Sequence, residues 1–250
     1  MEWQAPAIVL DVRRHGENDA VATLLSEAEG RHRGLVRGGQ SRRQAATWQV
    51  GSLVAARWTG RLADQLGHFT AELVHPSAAL VLDSPLALAL LAAACAVAEG
   101  ALPEREAHPR IFAGLFRLLA GIVAPERAIV DLVRWEADLL ADLGYGLDLR
   151  CCAVSGAVDD LAFVSPRTGR AVSRTAASPW AERLLPLPAF LCDAAAPAGA
   201  SDWRDGLRLT GHFLARDGFG ARHRPLPPAR LSLYDRIATL AAPSPDPPES

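Results

Sequence analysis

The pattern of apolar residues changes near residue 80, and this change constrains the fold more than any other feature of the chain. Before it, short apolar or alternating segments separated by turn residues predict five strands. These segments lie at 7–12, 20–26, 31–37, 52–61 and 68–75. Five short strands in succession are typical of a small barrel, and a five-stranded barrel of the OB type fits the count. We therefore expect residues 1–78 to form one domain.

After residue 80 the periodicity is helical, and we expect residues 79–250 to form a mainly α-helical domain. Ser84 and Pro85 suit a helix cap and a first helical residue. The helix that they begin is apolar on every side, which predicts a buried, central position. Two further predicted helices begin at Pro109 and Pro125, and two more span 203–216 and 231–240. Residues 151–175 are predicted to contain a small β-hairpin module, and residues 179–200 to be linking sequence. The predicted fold class is α+β.

A basic stretch, GRHRGLVRGGQSRR at residues 30–43, contains five arginines and no acidic residue. In a strand, alternate residues point to opposite faces, so Arg31, Arg33 and Arg37 would share one surface. Gly38–Ser41 predicts a flexible loop that carries Arg42 and Arg43. Guanidinium groups grip phosphate oxygens bidentately, so the stretch suits a nucleic-acid backbone. The alternative is a solvated edge strand whose charges prevent aggregation.

The charge around this stretch differs from that of the whole chain. Residues 13–61 contain nine arginines, Arg57 and Arg61 among them, against four acidic residues, whereas the chain has a formal net charge of −2. Such asymmetry is typical of a nucleic-acid face. Trp48, Trp58 and Phe69 are candidate platforms on which bases could stack. The alternative for each aromatic residue is a place in the barrel core or at its rim.

The chain lacks the residues that several classes of enzyme and metal site require. The chain contains no lysine, which excludes a Walker A loop and Schiff-base chemistry. Neither a GxSxG elbow nor a dinucleotide fingerprint occurs, so the sequence does not support catalysis or a bound cofactor. The four cysteines, which are Cys95, Cys151, Cys152 and Cys192, lack zinc-site spacing. We expect no signal peptide, and no membrane span because the longest apolar run, 86–98, is too short. We also expect a cytoplasmic protein whose thiols are reduced.

One carboxylate falls on a predicted apolar stripe. Glu136 lies among the apolar positions of the helix that begins at Pro125. A buried carboxylate needs a partner, and the sequence offers Arg134 or Arg127. We expect a structural ion pair rather than a catalytic acid.

The motifs and their order resemble the RecO family, the recombination mediators of bacterial DNA repair. Segments similar to the family's are Trp3-Gln4, Glu17–Asp19, Gly30–Gly38 with Ser41–Arg43, Arg134–Glu136, Leu143–Asp148, Cys152–Gly156 and Gly218–Arg230. The resemblance implies an OB barrel, binding of single- and double-stranded DNA, strand annealing, and loading of RecA onto DNA coated by single-strand-binding protein (SSB). It implies RecR and the acidic, hydrophobic SSB tail as partners, a place at the nucleoid, and no enzymatic activity.

The resemblance also implies residue roles. Arg31, Arg33, Arg37, Arg42 and Arg43 inherit DNA binding, and Arg134 would receive the carboxylate of the SSB tail, the alternative being an ion pair with a nearby acid on its own helix. Some family members carry a four-cysteine zinc module after the LGYG segment. Here Ser155 stands where a second cysteine would follow Cys152, so we expect the 151–175 module to be metal-free.

Some alternatives stay open at this level. A protein–protein adaptor, with a barrel that binds peptides and no affinity for DNA, is the second hypothesis, and a hydrolase with an unrecognised site is the third. The sequence also leaves open whether a second basic loop, Arg216–Arg224, continues the predicted DNA site.

Overall fold

The computed structural model describes residues 1–61, 66–178 and 180–242 of the chain. Its N-terminal part is a closed barrel with the strand order β1-β2-β3-β5-β4. The strands are β1 (Glu2–His15), β2 (Asp19–Ser26), β3 (Gly30–Val36), β4 (Leu53–Thr59) and β5 (His68–His75). Neighbouring strands are antiparallel except β3 and β5, which pair in parallel at Leu35 and His68. The five-stranded barrel of the OB type is confirmed.

Strand β1 is apolar on both faces, and this joins the barrel to the rest of the molecule. Ala7 and Val9 point into the barrel core. Ile8 and Leu10 point the other way and belong to the core of the helical region. A strand buried on both faces has a continuous apolar run instead of an alternating one, which explains the sequence AIVL at residues 7–10.

The helical region surrounds one central helix. Its elements are α1 (Pro85–Ala101), α2 (Pro109–Ala120), α3 (Pro125–Asp142), the short α4 (Arg174–Ala177), α5 (Ala200–Phe213) and α6 (Pro228–Leu240). The Ser84 side chain accepts a hydrogen bond from the Ala87 amide at 3.3 Å, as its capping role predicts. Helix α1 packs against α3, α6 and β1, so the predicted buried central helix is confirmed.

The hairpin module is a three-stranded sheet. Strands β6 (Leu161–Val164) and β7 (Ala171–Ser173) form the predicted hairpin. A third strand, β8 (Leu185–Pro186), adds to β6 from the segment predicted as linking sequence. That prediction was wrong at β8, because a two-residue strand is too short to show a period.

A sulfur atom occupies the centre of this module. The Cys152 side chain is buried and accepts hydrogen bonds from the Ser155 amide at 3.4 Å, the Ser173 amide at 3.3 Å and the Ser173 hydroxyl at 3.5 Å. These donors, those of Ser155 first, lower the pKa of Cys152 to about 6. Among the described residues, no group of three or more His, Cys, Asp and Glu side chains is arranged to hold a metal ion.

The predicted partners of Glu136 were wrong. Its carboxylate is fully buried and receives Arg230 of α6, at 2.6 Å from Nε and 2.9 Å from a terminal nitrogen. The Thr210 hydroxyl donates to the same carboxylate at 2.5 Å. Arg134, two positions from Glu136 on the helix, points to another face. Arg127 instead lies 3.9 Å from Asp131 on the exposed side.

Candidate nucleic-acid interface

The alternation predicted for the basic strand is confirmed. His32, Gly34 and Val36 point into the barrel and are buried, whereas Arg31, Arg33 and Leu35 lie on the outer face. Gly34 fits here because a Cβ atom would stand 2.5 Å from the Phe69 ring. The inner face of β3 is therefore filled, and its arginines are directed outward.

Arg31 differs from the other arginines of the stretch because it faces the helical region. Its Nε donates to the Leu102 carbonyl at 3.0 Å, and a terminal nitrogen lies 3.7 Å from Glu99. Only 13% of its side chain is exposed, and this burial lowers the pKa of Arg31. Strand β3 approaches the segment before α2 so closely that a Cβ on Gly30 would be 2.0 Å from the Glu106 carbonyl oxygen. Arg31 thus holds the barrel against the C-terminal end of α1.

The second basic loop meets the same helix end. Arg222 donates to the Ala101 carbonyl at 2.8 Å, and Arg224 donates to the Gly100 carbonyl at 3.2 Å. Helix α1 has no basic residue in its last turn, so these side chains supply the positive charge that a helix C-terminus favours. We call Arg31, Arg222 and Arg224 the α1 clamp. Its residues are distant in sequence, and the missing basic residue in α1 was the signal that could have predicted it.

Five arginines form a group that we call the arginine rim. They are Arg33, Arg37, Arg42, Arg43 and Arg61. Each is exposed, and none forms an ion pair with any carboxylate in the described part of the chain. The strand register places Arg33 and Arg37 on or next to β3, and Arg61 just after β4, near the start of β5, because His68 pairs with Leu35 on one side and with Thr59 on the other. Arg42 and Arg43 follow in the loop after β3. These five charges, which no described carboxylate balances, thus lie on or just beyond β3 and β4.

Arg57 lies on the neighbouring strand but is already neutralised. A terminal nitrogen of Arg57 is 2.6 Å from the Glu2 carboxylate, and both side chains are about half exposed. Of the seven arginines predicted to bind DNA, the structure brings five into the arginine rim, places Arg57 in a surface ion pair and places Arg31 in the α1 clamp.

The loop after β3 is held more firmly than its glycines predict. The Gly38 amide donates to the Asp19 carboxylate at 2.8 Å, and the Gln40 side chain donates to the Asp19 carbonyl at 2.6 Å. The Gln40 amide donates to the Asn18 carbonyl at 3.1 Å. The interpretation of Gly38–Ser41 as flexible was therefore wrong at its start, and the two arginines that follow project from a fixed turn.

The predicted aromatic platforms were also wrong. Trp48, Trp58 and Phe69 are only 3–4% exposed and belong to the barrel core. The Trp58 indole donates to the carbonyls of Arg33 and Leu66, both at 3.3 Å. A small barrel fills its interior with large side chains, so all three rings take the alternative place, in the barrel core.

Arg134 lies on α3, far from the arginine rim in sequence. Its guanidinium donates to the carbonyls of Phe190, at 3.0 and 3.2 Å, and Ala194, at 3.2 Å, rather than to an acid on its own helix. It borders a groove of about 610 Å³ whose apolar part is formed by Leu147, Leu149, Leu161 and Leu191. Arg150 and Asp138 border the same groove, and burial raises the pKa of Asp138.

None of the described helices is long and apolar enough to cross a membrane.

Known proteins resemble this chain over nearly its whole length. The family model for the N-terminal part of recombination protein O matches residues 1–77, and the model for its C-terminal part matches residues 82–225. The DNA repair protein RecO of Granulibacter bethesdensis is 61% identical over 242 residues, covering 96% of this chain and 97% of that protein. The RecO of Acidiphilium cryptum is 60% identical over 240 residues, covering 95% and 96%. The similarity thus extends over both the barrel and the helical region.

Proposed function

The chain belongs to the RecO family of DNA repair proteins, and from that premise we propose that it is a non-catalytic recombination mediator that binds DNA through the arginine rim. It binds single and double strands, anneals complementary strands and, together with RecR, assists the loading of RecA onto SSB-coated DNA. It acts in the cytoplasm at the nucleoid. These activities need binding and positioning of DNA, and they need no catalytic residue.

The observation that carries this proposal is the unpaired charge of the arginine rim. Five exposed arginines that form no ion pair with a described carboxylate lie on or just after β3 and β4, in a chain whose net charge is −2. Arg57 on β4 gives the contrast, because its charge is balanced by Glu2. Unbalanced guanidiniums attract phosphates and release the counterions of the nucleic acid when they bind.

The salt dependence of binding to single-stranded DNA tests this proposal. Each phosphate contact contributes about 0.7 to the slope of log affinity against log salt concentration, so five contacts predict a slope of about −3.5. Replacing Arg37, Arg42 and Arg43 with alanine should reduce the slope to about −1.4 and weaken binding at low salt. Fluorescence anisotropy of labelled DNA at several salt concentrations measures both quantities.

A matched triple variant controls for net charge. Arg110, Arg117 and Arg127 are exposed on α2 and α3, so replacing them with alanine removes the same charge from the helical region. This variant should keep the wild-type slope. Wild-type affinity in the rim variant, or an equal loss in both variants, would refute the assignment. Absence of wild-type binding even at low salt would favour the adaptor hypothesis.

We assign the SSB tail to the groove beside Arg134. An acidic, hydrophobic peptide needs a cation for its terminal carboxylate and an apolar surface for its side chains. Arg134 would supply the charge, since Arg150 already pairs with Asp148 at 3.1 Å, and the four leucines of the groove would supply the surface. Arg134→Ala should weaken binding of a fluorescent tail peptide about tenfold or more. Arg117→Ala on α2 is the control, and unchanged affinity in Arg134→Ala would remove Arg134 from the site.

A further inference from the structure

The barrel has a recess beside the arginine rim, where β3 and β5 separate. In the described residues these strands pair at one position, Leu35 with His68, supported by a hydrogen bond from the Leu35 amide to the Gly67 carbonyl at 3.0 Å. Beyond Leu35, strand β3 ends at Val36 and the chain turns away, whereas β5 continues to His75. A recess of about 410 Å³ opens in this gap.

The recess combines an apolar floor with polar groups at its mouth. Val36, Trp48 and Phe69 border it from the barrel core, and Gln44, Thr70 and Arg37 border it from the surface. Its volume lies in the range of about 300–1,000 Å³ that is usual for sites of small organic molecules. An apolar interior with a few polar groups at the entrance suits a flat, partly polar ring system.

The polar groups are positioned by contacts within the barrel. The Gln44 side-chain oxygen accepts a hydrogen bond from the Trp48 indole at 2.8 Å, which fixes the amide and leaves its N–H groups to donate elsewhere. The Thr70 side chain is exposed on β5, and its hydroxyl can both donate and accept. Arg37 is exposed and forms no ion pair with a described carboxylate.

We propose that this recess receives one unstacked base of single-stranded DNA, with the phosphate next to that base on Arg37. The proposal rests on the DNA binding assigned to the arginine rim and adds a contact that double-stranded DNA, whose bases are stacked, cannot make. The adjacent arginines Arg42 and Arg43 bring the strand past the recess, so charge complementarity selects a nucleic acid rather than a neutral ligand. Gln44 and Thr70 would meet the polar edge of the base.

An abasic oligonucleotide separates the base contact from the phosphate contacts. At one salt concentration, the wild-type protein should bind a thymidine oligonucleotide at least about fivefold tighter than an abasic oligonucleotide of equal length and charge. Thr70→Leu narrows the mouth and should reduce this ratio to below about twofold. Val74→Leu, an exposed position on the same face of β5 and away from the recess, should keep the wild-type ratio.

Photochemical cross-linking gives a second measurement that does not depend on a variant. An oligonucleotide with one 4-thiothymidine should cross-link to peptides that contain Gln44–Trp48 or His68–Ala71. Equal affinity of the wild-type protein for thymidine and abasic DNA would overturn the base site while leaving phosphate binding intact. Cross-links confined to other peptides would also overturn it. Absence of all DNA binding would refute both this proposal and the function from which it proceeds.

Discussion

Breaking the buried ion pair between Glu136 and Arg230 should destabilise the helical region strongly. Arg230→Met removes two hydrogen bonds to the carboxylate, of 2.6 and 2.9 Å, and one of 2.8 Å to the Leu207 carbonyl. Glu136 is fully buried, so its carboxylate would keep one hydrogen bond from a described side chain, that of the Thr210 hydroxyl. Removing one partner of a buried pair costs about 3–5 kcal/mol of unfolding free energy.

That loss is a large part of the total stability, which is about 5–15 kcal/mol for a typical domain. For a chain of this size it corresponds to a thermal midpoint about 6–20 °C lower. Denaturant unfolding followed by far-ultraviolet circular dichroism measures the free energy, and a thermal scan measures the midpoint. Arg127→Met is the control on α3: its pair with Asp131 is exposed, and its loss should cost less than about 0.5 kcal/mol.

The double variant Glu136→Met with Arg230→Met tests the reasoning itself. With both charges removed, methionine side chains fill similar space, and the Thr210 hydroxyl can donate instead to the Gly206 carbonyl, 3.1 Å away. The double variant should therefore be within about 1–2 kcal/mol of the wild-type protein, much closer than the single variant. A single variant that loses less than about 1 kcal/mol, or a double variant as unstable as the single one, would refute the assignment of the cost to an unpaired buried charge.

Two further predictions concern the barrel and the hairpin module. Gly34→Ala should cost about 1–3 kcal/mol in denaturant unfolding, because its Cβ would stand 2.5 Å from the Phe69 ring. Gly211→Ala within α5, with 3.6 Å of clearance, should not destabilise the protein, and equal losses in both variants would contradict the packing argument. Cys152→Ala should lower the thermal midpoint more at about pH 8 than at about pH 6. The pKa of Cys152 is lowered to about 6 in the folded protein, so its thiolate stabilises the fold at higher pH, and this contribution is lost as the pH falls through about 6. Cys95→Ala should show no such change over this range, since burial raises the pKa of Cys95 to about 12, and a pH-independent Cys152→Ala effect would show that the thiolate is not stabilised.

Local pattern was sufficient to predict most elements, and long-range contacts explain where it failed. The period of two in Arg31–Arg37 predicted both faces of β3 correctly. It could not distinguish Arg31 from Arg33, because the Leu102 carbonyl that binds Arg31 comes 71 residues later. Glu136 was correctly expected to need a partner, but Arg230 lies 94 residues away. The aromatic residues were misassigned because composition does not tell whether a ring lies inside or outside a barrel.

The two attachments of β3 have a consequence for the energetics of DNA binding. At its start the strand is fastened to α1 through Arg31, and just beyond its end the Gly38 amide is fastened to Asp19. A segment fixed at both ends loses little conformational entropy when a ligand arrives, so more of the contact energy remains as affinity. The backbone carrying Arg33 and Arg37 is thus preorganised, and DNA should meet a surface whose shape exists before contact. Restraints that lie outside the interface would then set part of its affinity.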